Sequence, residues 1–331
     1  MNLIRTLMTG LQPAIRVRRA IVGPRRPTWT LELETIAEVM RRAAGWSAVM
    51  PIGLQRRIID PPRPMTAPVR KTRMRPVNAG GVPAEWFSVP ESDPDRVFLY
   101  FHGGGYATGS INSHRDLLAR LCIASGMHVL APDYRLAPEH PFPAPLEDAQ
   151  RVFAWLHETH GIAPEHIVIG GESAGAGLAL ATLISLRDQD EPLPAGGVLL
   201  SGWFDLTARS ISMQFNRQYD FVTHSGVRAM AKRYAPVEEH RNPLVSPVHA
   251  ALDGLPPLLI QVGGAETLLD DSVRVADLAR RAGVDVTLEV WPDMIHAWHI
   301  LAPLVAEGRQ ALERIGELAH VWTRSSAAIS A

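Results

Sequence analysis

The decisive stretch is His166-Ile-Val-Ile-Gly170, then Gly171-Glu-Ser-Ala-Gly175, then an Ala- and Leu-rich run from Ala174 to Arg187. The first piece predicts a short buried strand and the last a helix. The five residues between them fit G-x-S-x-G, in which a serine sits on a sharp strand-to-helix turn and its hydroxyl stands clear of the backbone. Strand, turn and helix occur in the order that motif requires. In a chain with 26 glycines the motif alone also fits a glycine-rich turn that happens to carry a serine.

A second motif upstream favours the chemical reading. Arg96-Val-Phe-Leu-Tyr-Phe101 predicts a strand, and His102-Gly-Gly-Gly105 follows it directly. Glycines at such a strand end let a loop pass close to a substrate carbonyl and aim backbone N–H groups at a developing oxyanion. A phosphate-cradling turn is the competing reading. It is the weaker one, because neither a following Lys-Ser/Thr nor a G-x-G-x-x-G opening a helix is present.

Four segments in order, His102–Gly105, Asp133-Tyr-Arg-Leu-Ala-Pro-Glu-His-Pro-Phe-Pro143, Gly171–Gly175 and the late Asp293-Met-Ile-His296, resemble the bacterial hormone-sensitive-lipase-like esterases. The resemblance covers the chain from about residue 85 onward. It implies the α/β-hydrolase fold, a mostly parallel central sheet flanked by helices, with a helical cap. Glu172 departs from the pattern, since most relatives carry Asp there.

The alternation of strand and helix agrees with that fold class. Strands are expected at Glu85–Val89, Val97–Phe101, Met127–Ala131, Ile167–Gly170, Gly197–Leu200, Pro257–Val262 and Val286–Val290. Helices are expected after His114, over Leu146–His160, from Ala174, over Asp270–Ala282 and around Val305–Thr323. Residues 206–250 interrupt the rhythm with mixed polar and aromatic content. The expected division is therefore 1–77 as amino-terminal cap helices and connectors, 78–205 with 251–331 as the catalytic domain, and 206–250 as a cap insertion. In the first part Leu31–Ala44 reads as a helix and Asp60-Pro-Pro-Arg-Pro64 as a connector.

Composition is compatible with one large domain: 331 residues, 46% hydrophobic. The single cysteine, Cys122, forbids an intrachain disulfide and reads as core. Charge is uneven. Residues 1–77 hold 15 Arg/Lys against 4 Asp/Glu, a balance of +11 that leaves −12 for the remainder. Leu3, Ile4, Leu7, Met8 and Leu11 make an apolar stripe beside Arg5, which fits either attraction to an anionic membrane or docking onto the acidic body. Docking is the favoured reading, and Pro13 is expected to end the stripe early. No secretory leader or membrane span is expected, and the cytoplasm is the default. No nucleic-acid partner is expected.

In α/β-hydrolases the nucleophile is followed by an acid and then a histidine, each on a loop at a strand's carboxyl end. His296, after the strand Val286–Val290, fits the histidine; His299 is its rival. Glu266 is the first carboxylate after the strand that ends at Val262, whereas Asp270 and Asp271 read as the first turn of a helix. Ser173, Glu266 and His296 are thus the expected triad, with Gly104, Gly105 and Ala174 supplying the oxyanion N–H groups. No metal or organic cofactor is needed. His102, Asp133, Tyr134, Arg135, Glu139 and His140 read as a network behind the oxyanion loop, and Asp205 as a tether for the cap. Trp203, Phe204, Phe215, Tyr219, Phe221 and Trp298 are candidates for a pocket or for core.

The implied activity is hydrolysis of a small-molecule, short-chain acyl ester. Amide or lactone hydrolysis uses the same triad, and a non-catalytic small-molecule receptor is the alternative from another class. The resemblance also implies a homodimer through the last edge strand, near Val286–Val290.

Overall fold

The computed structural model describes residues 2–47, 50–60 and 65–324; side chains are described from residue 7 onward, and that of Ser47 is not. The connector Pro61–Pro64 and the side chains of Leu3, Ile4 and Arg5 lie outside the described residues.

Eight strands form one sheet: β1 (Arg73–Ala79), β2 (Val82–Ser88), β3 (Asp93–Phe101), β4 (Met127–Pro132), β5 (Ile167–Glu172), β6 (Gly196–Leu200), β7 (Leu258–Gly263) and β8 (Val286–Trp291). Their order is β1-β2-β4-β3-β5-β6-β7-β8. β1, β2 and β4 meet antiparallel, and every pairing from β4 through β3 to β8 is parallel. The parallel strands read as continuous apolar runs because helices cover both of their faces. One face carries Val97, Leu99, Ile169 and Ile260 with Leu180 and Leu183 of the helix Ala174–Asp188. The other carries Phe98, Val168 and Leu259 with Leu118 of Ile111–Ser125 and Ile315 of Ala306–Trp322.

Two expectations are corrected. β1 was not foreseen, and it crosses the expected boundary at 77/78. Its sequence alternates charge with Pro76, which argues against a strand, but β1 is the sheet's edge, where a missing N–H breaks no inner ladder. The first helix runs Asn2–Val22 straight across Pro13, where a proline inside a helix costs about 3 kcal/mol. Packing offsets that cost: Met8 and Ile15 are buried, and Leu7 and Leu11 join a cluster with Trp29, Ile36, Ile295 and Trp298.

That cluster is how the amino-terminal helices meet the body. Glu34 is buried in the second helix, Leu31–Ser47, and pairs with Arg18 and Arg19. Arg26 pairs with Asp293, and the Trp29 indole donates to the Asp293 carbonyl at 2.7 Å. The basic segment therefore docks on the Trp291–His296 loop. Among the described residues no helix is long and apolar enough to cross a membrane. Cys122 is fully buried, and burial pushes its thiol up to about 11, which keeps it unreactive.

Candidate active site

β5 ends at Glu172, and Ser173 adopts φ 56°, ψ −120° before the helix Ala174–Asp188 begins. A non-glycine residue in that region costs about 1–3 kcal/mol. The surrounding chain holds it: Ser173 N–H donates to Leu200 O at 2.8 Å, and Trp203 N–H donates to Ser173 O at 3.0 Å. Side chains at Gly171 or Gly175 would collide with backbone, Gly171 against Gly175 and both against the end of β3 at Phe101. The two glycines thus let strand, turn and helix approach closely enough to raise Ser173.

The end of β7 supplies Glu266 and the end of β8 supplies His296. His296 Nε2 lies 2.9 Å from Ser173 Oγ, and His296 Nδ1 lies 3.0 Å from Glu266 Oε2. Glu266 is 0% exposed, and its Oε1 accepts from Ser201 Oγ and Gly263 N–H, both at 2.6 Å. Burial works against the charge on both partners. It raises the Glu266 carboxyl, while the hydrogen bonds from His296 and Ser201 draw it down. For His296 the burial penalty is outweighed by the hydrogen bond and charge of Glu266, with Asp220 and Glu172 behind them, so its pKa is pushed up to about 9.

The rivals sit elsewhere. His299 is buried with Nε2 2.9 Å from Gln261 Oε1, and burial lowers it to about 3. Asp270 and Asp271 occupy the first turn of the helix Leu269–Arg281 and face the 204–212 loop. Asp270 accepts from Ser212 N–H at 2.8 Å, and Asp271 accepts from Phe204 N–H and Asp205 N–H.

The His102–Gly105 loop is fixed from below by a buried charge. Glu172 Oε1 accepts from Gly103 N–H and pairs with His114 Nε2, each at 2.7 Å. Burial opposes that carboxylate, yet the His114 bond holds it below its ordinary value. Gly104 has φ 112°, and a side chain there would strike the Thr108 carbonyl. His102 stacks on Tyr134 with centroids 4.5 Å apart, and the Tyr134 hydroxyl donates to His102 O at 2.6 Å. Burial lowers His102 to about 3, so it is a neutral spacer. Arg56 ties Glu139 to the carbonyls of Ala107 and Ala137, and Arg135 binds Asp148 and Glu147. Asp133 and His140 are exposed, and their backbone N–H groups donate to Pro83 O at 2.8 Å and Leu136 O at 3.0 Å.

Asp205 accepts from Thr207 and, at 2.8 Å, from Arg274, which ties the start of the insertion to the helix Leu269–Arg281. Of the aromatic candidates, Trp203, Phe204 and Trp298 are core, and Phe215 is 73% exposed. Tyr219 packs edge-on against Trp29. Phe221 stands edge-on to the His296 ring at 5.6 Å.

Sequence reasoning missed two residues. Ser201 follows β6 and bridges the acid and histidine loops, donating to Glu266 and accepting from Ala297 N–H at 3.1 Å. The strand-end rule that found Glu266 could have found it. Asp220 is buried in the insertion and accepts from His296 N–H at 3.2 Å and from Thr267 N–H at 2.8 Å. Nothing local marks it.

The family model described as alpha/beta hydrolase fold matches residues 98–300. An acetyl-hydrolase of Streptomyces hygroscopicus is 45% identical over 241 residues, covering 72% of this chain and 80% of that protein. A crystal structure of an esterase from the bacterial hormone-sensitive lipase family superposes with TM-score 0.83 at 42% identity, over 90% of this chain and all of that one. The chain belongs to this family. An esterase of Acinetobacter venetianus, 38% identical over 249 residues, covers 75% of this chain and 82% of its own length. The chain is accordingly a carboxylic ester hydrolase with the α/β-hydrolase fold. Within this esterase the segment 206–250 lies over the His102–Gly105 loop: Met230 abuts Gly105, and Tyr234 stacks on Tyr106 with centroids 3.7 Å apart.

Proposed function

We propose that this esterase hydrolyses short-chain acyl esters through an acyl-enzyme on Ser173. The unbroken chain of contacts from Ser173 through His296 to Glu266, 2.9 and 3.0 Å, supports that reading most directly. His296 Nε2 takes the serine proton as Oγ attacks the ester carbonyl, and Glu266 holds the ring orientation and the cation that forms. The oxyanion is met by the N–H groups of Gly104, Gly105 and Ala174. Among the described residues none of these three N–H groups has a hydrogen-bond acceptor, which leaves them free for a substrate oxygen. His296 then returns the proton to the departing alcohol, and water activated by the same ring releases the acid. We read the amino-terminal helices and 206–250 as a cap over this site, with the amino-terminal part ending before β1.

Short acyl chains are favoured by the packing of Met230 against Gly105 and by the acetyl-hydrolase name of the Streptomyces relative. The test is kcat/KM on p-nitrophenyl acetate, butyrate, octanoate and palmitate. Acetate and butyrate should lead. A maximum at octanoate or palmitate would refute the short-chain assignment.

The pH profile has a predicted sign. The base must be neutral to act, and the folded protein holds His296 above its ordinary value, at about 9. The rate should therefore climb with pH through an acid limb on the alkaline side of the ordinary histidine value of about 6.5. Asp220→Asn removes one charge that favours the cation and should move the limb toward acid. Measuring kcat/KM on p-nitrophenyl butyrate from about pH 5 to about pH 10 decides it. A limb at or below 6.5 would contradict the electrostatics described.

A further inference from the structure

Beside the histidine loop, between the helix Leu31–Ser47 and residues 217–223, lies a recess of about 280 Å³. Its wall holds four guanidinium groups, Arg25, Arg41, Arg42 and Arg217, against two carboxylates, Glu38 and Asp220. Both carboxylates are already engaged. Glu38 accepts from Arg25 at 3.0 Å and Arg42 at 2.8 Å. Asp220 accepts from Phe221 N–H, His296 N–H and Thr267. Arg41 donates to the Gln218 carbonyl at 2.7 Å, as Arg25 does at 3.1 Å. Among the described residues neither Arg41 nor Arg217 has a carboxylate within ion-pair distance.

The recess therefore carries uncompensated positive charge. Burial, and after it the like charge of Arg25, draws Arg41 below the ordinary arginine value, against the opposite pull of Glu38 and Asp220. Planar guanidinium groups grouped in this way suit the paired oxygens of a carboxylate or phosphate. The volume is at the low end for a ligand pocket, enough for such a group with a few carbons attached. Phe221 forms part of the wall and also stands edge-on to the His296 ring at 5.6 Å. One aromatic ring thus separates the cationic recess from the catalytic base.

We propose that this recess anchors an anionic oxygen group of the substrate, so that the preferred substrates are esters carrying a carboxylate or phosphate. The assignment rests on the Ser173–His296 reading, since it gives the anion a position relative to that pair. An ester anchored by its charge gains orientation at the reacting carbonyl without a longer apolar chain.

Two matched pairs test it. p-Nitrophenyl valerate and mono-p-nitrophenyl glutarate differ by a terminal carboxylate on the acyl side; phenyl butyrate and 4-carboxyphenyl butyrate differ on the alcohol side. The readout is the ratio of kcat/KM, anionic over neutral. One pair should give a ratio above one. Arg217→Gln, at an exposed position, should lower that ratio by roughly threefold and Arg41→Gln/Arg217→Gln by roughly tenfold, while Arg217→Lys retains part of it. About 0.5 M NaCl should lower it in the wild type as well.

Several outcomes overturn the proposal. Ratios that ignore the arginine substitutions in both pairs do so. So does an equal loss on charged and neutral esters, which would make the arginines supports for the 217–223 segment. Free glutarate or phosphate that alters hydrolysis of the neutral esters, with ratios remaining at one, would mark an effector site. Neutral esters that remain good substrates of Ser173→Ala would instead refute the catalytic reading itself.

Discussion

Ser173→Ala and His296→Ala should each lower kcat on p-nitrophenyl butyrate by roughly 10⁵-fold or more, and the double variant should lose no more than either alone. The reason is geometric. Ser173 Oγ and His296 Nε2 are 2.9 Å apart, so the nucleophile is activated only when both are present, and removing either leaves nothing for the other to do. What survives is direct attack of water on the bound ester, aided by substrate binding and by the proposed N–H donors Gly104, Gly105 and Ala174. Thermal unfolding must accompany the kinetics, because Ser173 occupies a strained conformation at φ 56° and its replacement can change stability. Single losses that multiply in the double variant would show that the two residues do not act as one unit. Retained turnover in Ser173→Ala would remove the acyl-enzyme from the mechanism.

The strength of that prediction reflects which parts of the molecule a sequence displays. Gly171 and Gly175 flank Ser173 in the chain, so the motif and the steric reason for it coincide: both glycines face the end of β3. Glu266 and His296 are 30 residues apart, but the order of strands carries them to the same edge of the site. Asp220 is different. It reaches His296 across 76 residues and Thr267 across 47, from a segment outside the alternation of strand and helix, so its role exists only once that segment is folded. β1 was hidden for the opposite reason. Its own composition argues against a strand, and only its place at the edge of the sheet makes Pro76 acceptable. The first helix likewise survives Pro13 because of Trp29, Ile36 and Trp298, partners that no window of local sequence contains.

The acid is the member of the proposed triad that sequence order leaves open, and Glu266→Gln should decide it, with a fall in kcat of roughly 10³- to 10⁴-fold. Gln can keep the contact to His296 Nδ1 but loses the charge that favours the imidazolium, and its amide can turn its NH₂ toward the ring and fix the wrong tautomer. The carboxylate is also the acceptor for Ser201 Oγ and Gly263 N–H, so the substitution disturbs the scaffold between the two loops. Asp270→Asn is the matched control, since Asp270 accepts from Ser212 N–H and is not among the hydrogen-bond partners of His296; its turnover should remain within a few-fold of wild type. Glu266→Gln should also move the acid limb of the residual activity toward lower pH, because the leading influence holding His296 up at about 9 is gone. A severe loss in Asp270→Asn with little change in Glu266→Gln would reassign the acid. Equal loss in both would mean that the helix Leu269–Arg281, and not one carboxylate, positions the ring.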